Sequence, residues 1–217
     1  MKENLIAGYL PKPITVDGTI FQYSISNNPS RGIYFADDTG LNQVYVPANA
    51  ILQTATLGTG YEYKIGSTEY ITGKILNQIT LDDFTLELWV NFLSISLTGQ
   101  NVVSVLFSGN NLAVQYYSNS YNIYIAGSHV NSGTLTYPSN KWINLSYTRQ
   151  NGILRGFVDG VKVLENSTLT SLVTLAANSA LYIPYNGSAR ATNSLFKKIR
   201  LLDRCIYTES FTPQYVN

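Results

Sequence analysis

Few side chains in this 217-residue chain could do acid–base, nucleophilic or metal chemistry, since it holds one histidine, one cysteine and thirteen acidic residues. General acid–base catalysis needs two groups held together whose environments push their pKa values apart. On a strand, carboxylates at i and i+2 share a face, and no acidic pair stands at that spacing. Asp82, Asp83 and Glu87 come nearest, but both aspartates belong to the turn before a strand. That leaves Glu87 as a solvated or groove-lining residue. His129 lies in the run Ala126-Gly-Ser-His-Val-Asn-Ser-Gly133 with no nucleophile motif to serve, and reads as a loop residue. Cys205 precedes an apolar run and reads as a buried, inert thiol. Standing alone, it excludes an intrachain disulfide. No His/Cys cluster has zinc spacing. A hard cation needs about six or more oxygens, with two or more carboxylates among them. Asp159 and Asp203 are isolated in the sequence, and Asp159 is explained by its turn.

Binding is better represented than turnover. Tyr116, Tyr117, Tyr121 and Tyr124 alternate with Asn119 and Asn122, and Tyr182, Tyr185 and Asn186 form a second group. Aromatic faces cover the C–H surfaces of sugars while amides read hydroxyls, so these are the candidate glycan contacts. Trp89 and Trp142 fall inside strand patterns and are expected in or beside the core. Charged residues make up 12% of the chain, well below the usual ~25%. With a net charge of +1 and no basic block, the chain carries no electrostatic footprint for nucleic acid. The N-terminus lacks an apolar signal-peptide core and no run approaches the ~18 apolar residues of a membrane span, so neither is expected.

The elements that must position these residues are strands. Leu145–Leu164 holds three short apolar runs separated by Asn151-Gly152 and Asp159-Gly160, dipeptides suited to type I′ turns. It reads as a three-strand antiparallel meander. Phe84–Phe92 alternates strictly, with Phe84, Leu86, Leu88, Val90 and Phe92 on one face and Thr85, Glu87, Trp89 and Asn91 on the other. Strands at intervals of about 8–12 residues indicate a sandwich or barrel. Residues 1–56 read as a β-rich N-terminal arm, with a soft boundary before the domain at 57–217. The arm either completes the sandwich or anchors the chain to another subunit by burying Ile6, Tyr9, Leu10 and Ile14.

Several segments share an order with one known family. Asp83-Phe-Thr-Leu-Glu-Leu-Trp-Val90 opens the series, Ser108-Gly109 follows, and Lys141-Trp142-Ile143-Asn144-Leu145 begins a strand with tryptophan. Tyr147-Thr-Arg149 precedes Arg155-Gly-Phe-Val-Asp-Gly160, and Ile199-Arg-Leu-Leu-Asp-Arg204 precedes Tyr207-Thr-Glu-Ser-Phe-Thr-Pro213. From about Leu57 onward the sequence thus resembles the laminin-G-like, concanavalin A-like jelly-roll family, in the variant found in virion proteins of tailed bacteriophages. The resemblance implies an all-β, two-sheet antiparallel sandwich. It further implies a non-enzymatic virion component, such as a capsid decoration, head-fibre or tail-fibre protein, made in the host cytoplasm. Its partners would be other virion proteins, copies of itself, or host-associated glycan, with no nucleic acid and no membrane insertion. No cofactor is expected, although relatives that bind calcium make a structural calcium ion the alternative. A carbohydrate-binding module of a cellular polysaccharide-using system is the second reading. A glycoside hydrolase is the third, and the paired acids of the family's endoglucanases are missing here.

Overall fold

The computed structural model describes residues 19–28, 32–37, 42–45, 51–54, 61–65, 71–75, 78–92, 102–107, 112–117, 120–133, 135, 140–169, 171–183 and 194–214. Among them every regular element is a strand, and all the pairings are antiparallel. The strands are numbered in chain order. The larger sheet runs β15 (Val161–Asn166), β14 (Ile153–Val158), β13 (Trp142–Gln150), β8 (Phe84–Phe92), β18 (Ser194–Leu202), β1 (Thr19–Asn28) and β2 (Gly32–Asp37). Beside β18 also lies β5 (Tyr61–Ile65), which carries β4 (Ile51–Thr54). The second sheet runs β12 (Ser128–Asn131), β11 (Ser120–Ile125), β10 (Leu112–Tyr117), β9 (Val102–Phe107), β17 (Ser179–Ile183), β6 (Ile71–Ile75) and β3 (Asn42–Tyr45). A small ribbon pairs β16 (Val173–Leu175) with β7 (Ile79–Leu81).

Turn chemistry sets the registers. Asn151 and Gly152 have φ of 51° and 77°, and Asp159 and Gly160 have 48° and 76°, as a type I′ turn requires. Gln150 therefore faces Ile153, and Val158 faces Val161. A third such turn is less obvious in sequence, because Ala126 takes φ of 46° ahead of Gly127 at 86°. Alanine pays for that conformation sterically, yet the turn joins β11 to β12. His129 consequently sits on a strand, opposite Tyr124, and not in a loop.

One apolar cluster lies between the sheets. Phe84, Leu86, Leu88, Val90 and Phe92 of β8 meet Leu112, Val114, Tyr121, Ile123 and Ile125 of the opposing sheet, with Leu81, Val173 and Leu175 from the ribbon. On the other face of β8, Thr85, Glu87, Trp89 and Asn91 are buried as well. What covers that face positions the candidate site.

The first 54 residues are not a separate layer where they are described. Strand β1 pairs with β18 (Thr19↔Leu202 to Tyr23↔Ile199), and β3 joins β6 in the opposite sheet. Strand β2 pairs with β1 and β4 with β5, while Ile6, Tyr9, Leu10 and Ile14 lie outside the described residues.

Candidate functional site

Among the described residues, the outer face of the larger sheet carries a connected network of polar side chains. Antiparallel pairing sets Glu87 of β8 between Ser146 of β13 and Arg200 of β18. Arg200 Nε donates to Glu87 Oε2 at 2.6 Å, and Asn144 Nδ2 donates to Glu87 Oε1 at 3.1 Å. Ser146 Oγ in turn donates to Asn144 Oδ1 at 2.8 Å. Asn144 is held from behind, because its N–H donates to Asp159 Oδ1 and its carbonyl accepts the Asp159 N–H, both at 2.8 Å. The Asp159-Gly160 turn is thus tied to the middle of the sheet.

After β18 the chain doubles back across this face as a strap, residues 203–213. Thr85 Oγ1 donates to the Arg204 carbonyl at 2.8 Å and accepts the Ile206 N–H at 3.1 Å, while Thr148 Oγ1 donates to the Tyr207 carbonyl at 2.7 Å. The Phe211 N–H donates to the Gly160 carbonyl at 2.9 Å. Tyr207 and Phe211 stack with centroids 3.6 Å apart and planes 4° from parallel, and Phe157 meets both edge-on at 6.3 and 5.3 Å. Lys162 reaches Glu165 and Glu209 at 3.0 and 3.1 Å, which raises the pKa of Lys162 through those hydrogen bonds and lowers that of Glu165.

The strap places the Tyr207 hydroxyl 3.5 Å from Glu87 Oε1. Burial first, and then the negative charge of Glu87, raise the Tyr207 pKa against the opposing pull of Arg200. Glu87 is 4% exposed, so the expectation of a solvated or groove-lining carboxylate is corrected. Its hydrogen-bond partners are a guanidinium, an amide and a phenol. Retaining glycoside hydrolysis needs a second carboxyl about 5 Å away with one of the two kept protonated. Glu87 is instead spent as the counter-ion of Arg200.

The remaining candidates scatter. Tyr121, 1% exposed, belongs to the inter-sheet core, and Asn122, also 1% exposed, is buried on the other face of β11. At that burial neither side chain has open surface in this structure. Tyr124 is half-buried with its ring 5.7 Å from that of the exposed His129. Backbone pairing puts Tyr116 opposite Tyr121, Tyr117 opposite Ser120, and Tyr182 opposite Thr72 and Leu106. Asn119, Tyr185 and Asn186 lie outside the described residues. Trp89 and Trp142 share the outer face with Glu87 and Asn144, not the core. Cys205 is half-buried in the strap, its Sγ donating to the Tyr207 carbonyl at 3.2 Å. Asp203 is exposed, and among the described residues no group of three His, Cys, Asp or Glu side chains could hold a metal ion. Arg200, Asn144 and Tyr207 had no place among the sequence candidates. The signal was present in Arg200, a charge between apolar Ile199 and Leu201 on a strand, which calls for a partner on the same face.

Comparisons with known proteins agree with this architecture. A laminin-G family model, described as the concanavalin A-like lectin/glucanases superfamily, matches residues 65–210. No curated protein sequence matches the chain. Among solved structures, the binding domain of Paraclostridial Mosquitocidal Protein 1 superposes with a TM-score of 0.70 at 12% identity, over 88% of this chain and 50% of that one. The botulinum neurotoxin serotype D ligand-binding domain, solved in complex with N-acetylneuraminic acid, gives 0.67 at 13% identity, over 88% and 48%. The serotype G binding domain gives 0.66 at 15% identity, over 87% and 48%. The chain spans about half the length of these structures, and at such identities the likeness is one of fold. With two thirds of its length matched by the family model and a two-sheet antiparallel sandwich to match, the chain belongs to the concanavalin A-like lectin/glucanases superfamily, in its laminin-G branch.

Proposed function

We propose that this chain is a non-enzymatic binding and display module of a tailed-phage virion, as a capsid decoration, head-fibre or tail-fibre protein. The jelly roll turns its surface to host-associated glycan or to neighbouring subunits, including copies of itself. The observation that supports binding over turnover is the state of Glu87, sealed under the strap and neutralised by Arg200. Support for glycan as the ligand class comes from the serotype D relative, solved with N-acetylneuraminic acid, and from a type C neurotoxin study whose cell entry depends on two ganglioside molecules. The virion setting is supported by the order of motifs from Asp83 to Pro213 that resembles phage virion proteins.

Two measurements test the reading. Mass spectrometry of purified particles is expected to find the chain, and an array of sialylated and neutral glycans is expected to retain the purified protein. Turnover of laminarin or a similar polymer by wild-type protein, abolished by Glu87→Gln, would overturn the non-enzymatic reading. A second reading, a carbohydrate-binding module of a cellular protein, is favoured by the structural neighbours being binding domains of larger toxins. Capsid or tail genes on both sides of the coding sequence decide for the virion, and polysaccharide-use genes decide against it.

A further inference from the structure

Two Asn-Gly pairs stand in the sequence, Asn151-Gly152 and Asn186-Gly187, and the second lies outside the described residues. Asn151 and Gly152 are the central residues of the turn between β13 and β14, at the tip of that hairpin. Asn151 is exposed, Gly152 is half-buried, and a Cβ built on Gly152 would meet nothing within 4 Å. Among the described residues nothing accepts the Gly152 N–H, and the Asn151 side-chain amide has no hydrogen-bond partner. The tip is held by the pairing of Gln150 with Ile153, both half-buried. One bond ties it to the rest of the fold, from the Asn151 N–H to Asp83 Oδ1 at 3.0 Å.

A free side-chain amide next to a free glycine N–H can cyclise, and the other asparagines whose side chains are described are each withheld from that chemistry. Asn91, Asn122 and Asn144 are buried. Asn131 Oδ1 accepts the Gly133 N–H, and the next amide, that of Ser132, donates to the Tyr121 carbonyl. Asn166 Oδ1 accepts from both the N–H and the hydroxyl of Thr168. Asn178 is followed by Ser179, whose N–H donates to the Ala176 carbonyl. Asn140 is followed by Lys141, whose side chain crowds the nitrogen that would attack. The sister turn is closed as well, since Asp159 Oδ1 accepts the Asn144 N–H and the strap lies against Gly160.

We infer that Asn151 is a self-modification site, at which water converts the side-chain amide to a carboxylate through a succinimide ring, with Asp83 as the latch that slows it. Solvent hydroxide takes the Gly152 N–H proton, and the nitrogen attacks Asn151 Cγ. As the N–Cγ bond forms the Cγ–Nδ2 bond breaks, and Nδ2 leaves as ammonia with a proton supplied by water. A water molecule then opens the ring on either side of its nitrogen, leaving aspartate or iso-aspartate. One amide and one water thus give one carboxylic acid and one ammonia, with no enzyme or cofactor. Glycine suits the step because no side chain shields its nitrogen. Ring closure turns the Asn151 Cα–C bond out of the turn geometry, so the reaction starts from an opened tip, and such ends open at low free energy. The iso-aspartyl product carries an extra backbone methylene through a two-residue turn, and the new charge stands beside Asp83, so the tip no longer closes in the same register.

The test follows the folded protein over time. Wild-type chain is incubated in mildly alkaline buffer well below its Tm, digested and mapped by mass spectrometry, with iso-aspartate scored by isoaspartyl methyltransferase labelling. The fragment holding Asn151 is expected to divide into aspartyl and iso-aspartyl forms before those holding Asn131, Asn140, Asn166 or Asn178. Asp83→Ala is expected to speed the conversion about fivefold, the gain in opened tip when one hydrogen bond is lost. In urea the two chains should convert at the same rate, which separates a latch from a change in the chemistry. An Asn151 fragment that converts in urea but stays intact in the folded protein shows that the turn protects it, and overturns the site. Earlier conversion at any of the other four asparagines overturns it too. Equal rates for folded wild-type and Asp83→Ala protein overturn the role given to Asp83.

Discussion

Glu87 and Arg200 are each other's reason for being tolerated. A carboxylate taken out of water is stabilised only if a cation and further donors replace its hydration, and here Arg200 at 2.6 Å and Asn144 at 3.1 Å do so. Arg200→Leu leaves the carboxylate buried without its counter-ion, which is expected to destabilise the fold by about 3–5 kcal/mol. Adding Glu87→Leu should recover most of that loss, and chemical denaturation of the two variants checks the coupling. Buried tyrosines set the alkaline limit. Tyr147 and Tyr207 both have pKa values raised above 10.0, chiefly by burial. A raised acid pKa means that the folded state keeps a proton the unfolded chain gives up, so their contribution is complete below pH 10 and is lost as pH climbs through the folded values. The Tm is therefore expected to hold to about pH 10 and to fall above it. Tyr207→Phe should reduce that fall, and an unchanged alkaline slope in this variant would argue against it.

At the scale of elements, the strap and the Asp159-Gly160 turn act as one piece. Gly160 has φ of 76°, and a Cβ built on it would run into the Phe211 carbonyl and the Pro213 ring. Gly160→Ala carries both a left-handed backbone penalty of about 1–2 kcal/mol and a collision with the strap. The expected result is a loss of at least that much stability, together with new protease cleavage within 203–214. Gly152 takes φ of 77° but would meet nothing with an added Cβ, so Gly152→Ala should show the backbone penalty alone. Equal protease resistance in the two variants would separate the turn from the strap. The two type I′ turns were legible in Asn-Gly and Asp-Gly, because those dipeptides carry the φ preference in their own chemistry. The Ala126-Gly127 turn was not, since alanine has no such preference and is held there by the pairing of Ile125 with Ser128.

Across the whole molecule, β18 is shared by the two ends of the chain, with β8 on one side and both β1 and β5 on the other. Deleting residues 1–56 uncovers the part of β18 that β1 pairs, and an open central strand edge is a template for association. The truncated chain is expected to elute as aggregate in size-exclusion chromatography, whereas a dispensable arm would leave a monodisperse domain. Alternation and turn dipeptides were enough to read an all-β sandwich from the chain, because period-two burial and φ > 0 preferences are local properties of neighbouring residues. The apolar face of Phe84–Phe92 was legible for the same reason. The polar face was not. Whether Glu87, Trp89 and Asn91 meet water, a counter-ion or a covering segment depends on Arg200, Trp142 and residues 203–213, which lie far away in sequence. Local pattern can say that a side chain leaves the core, but the dielectric it enters is set only when distant strands and the returning strap come together over it.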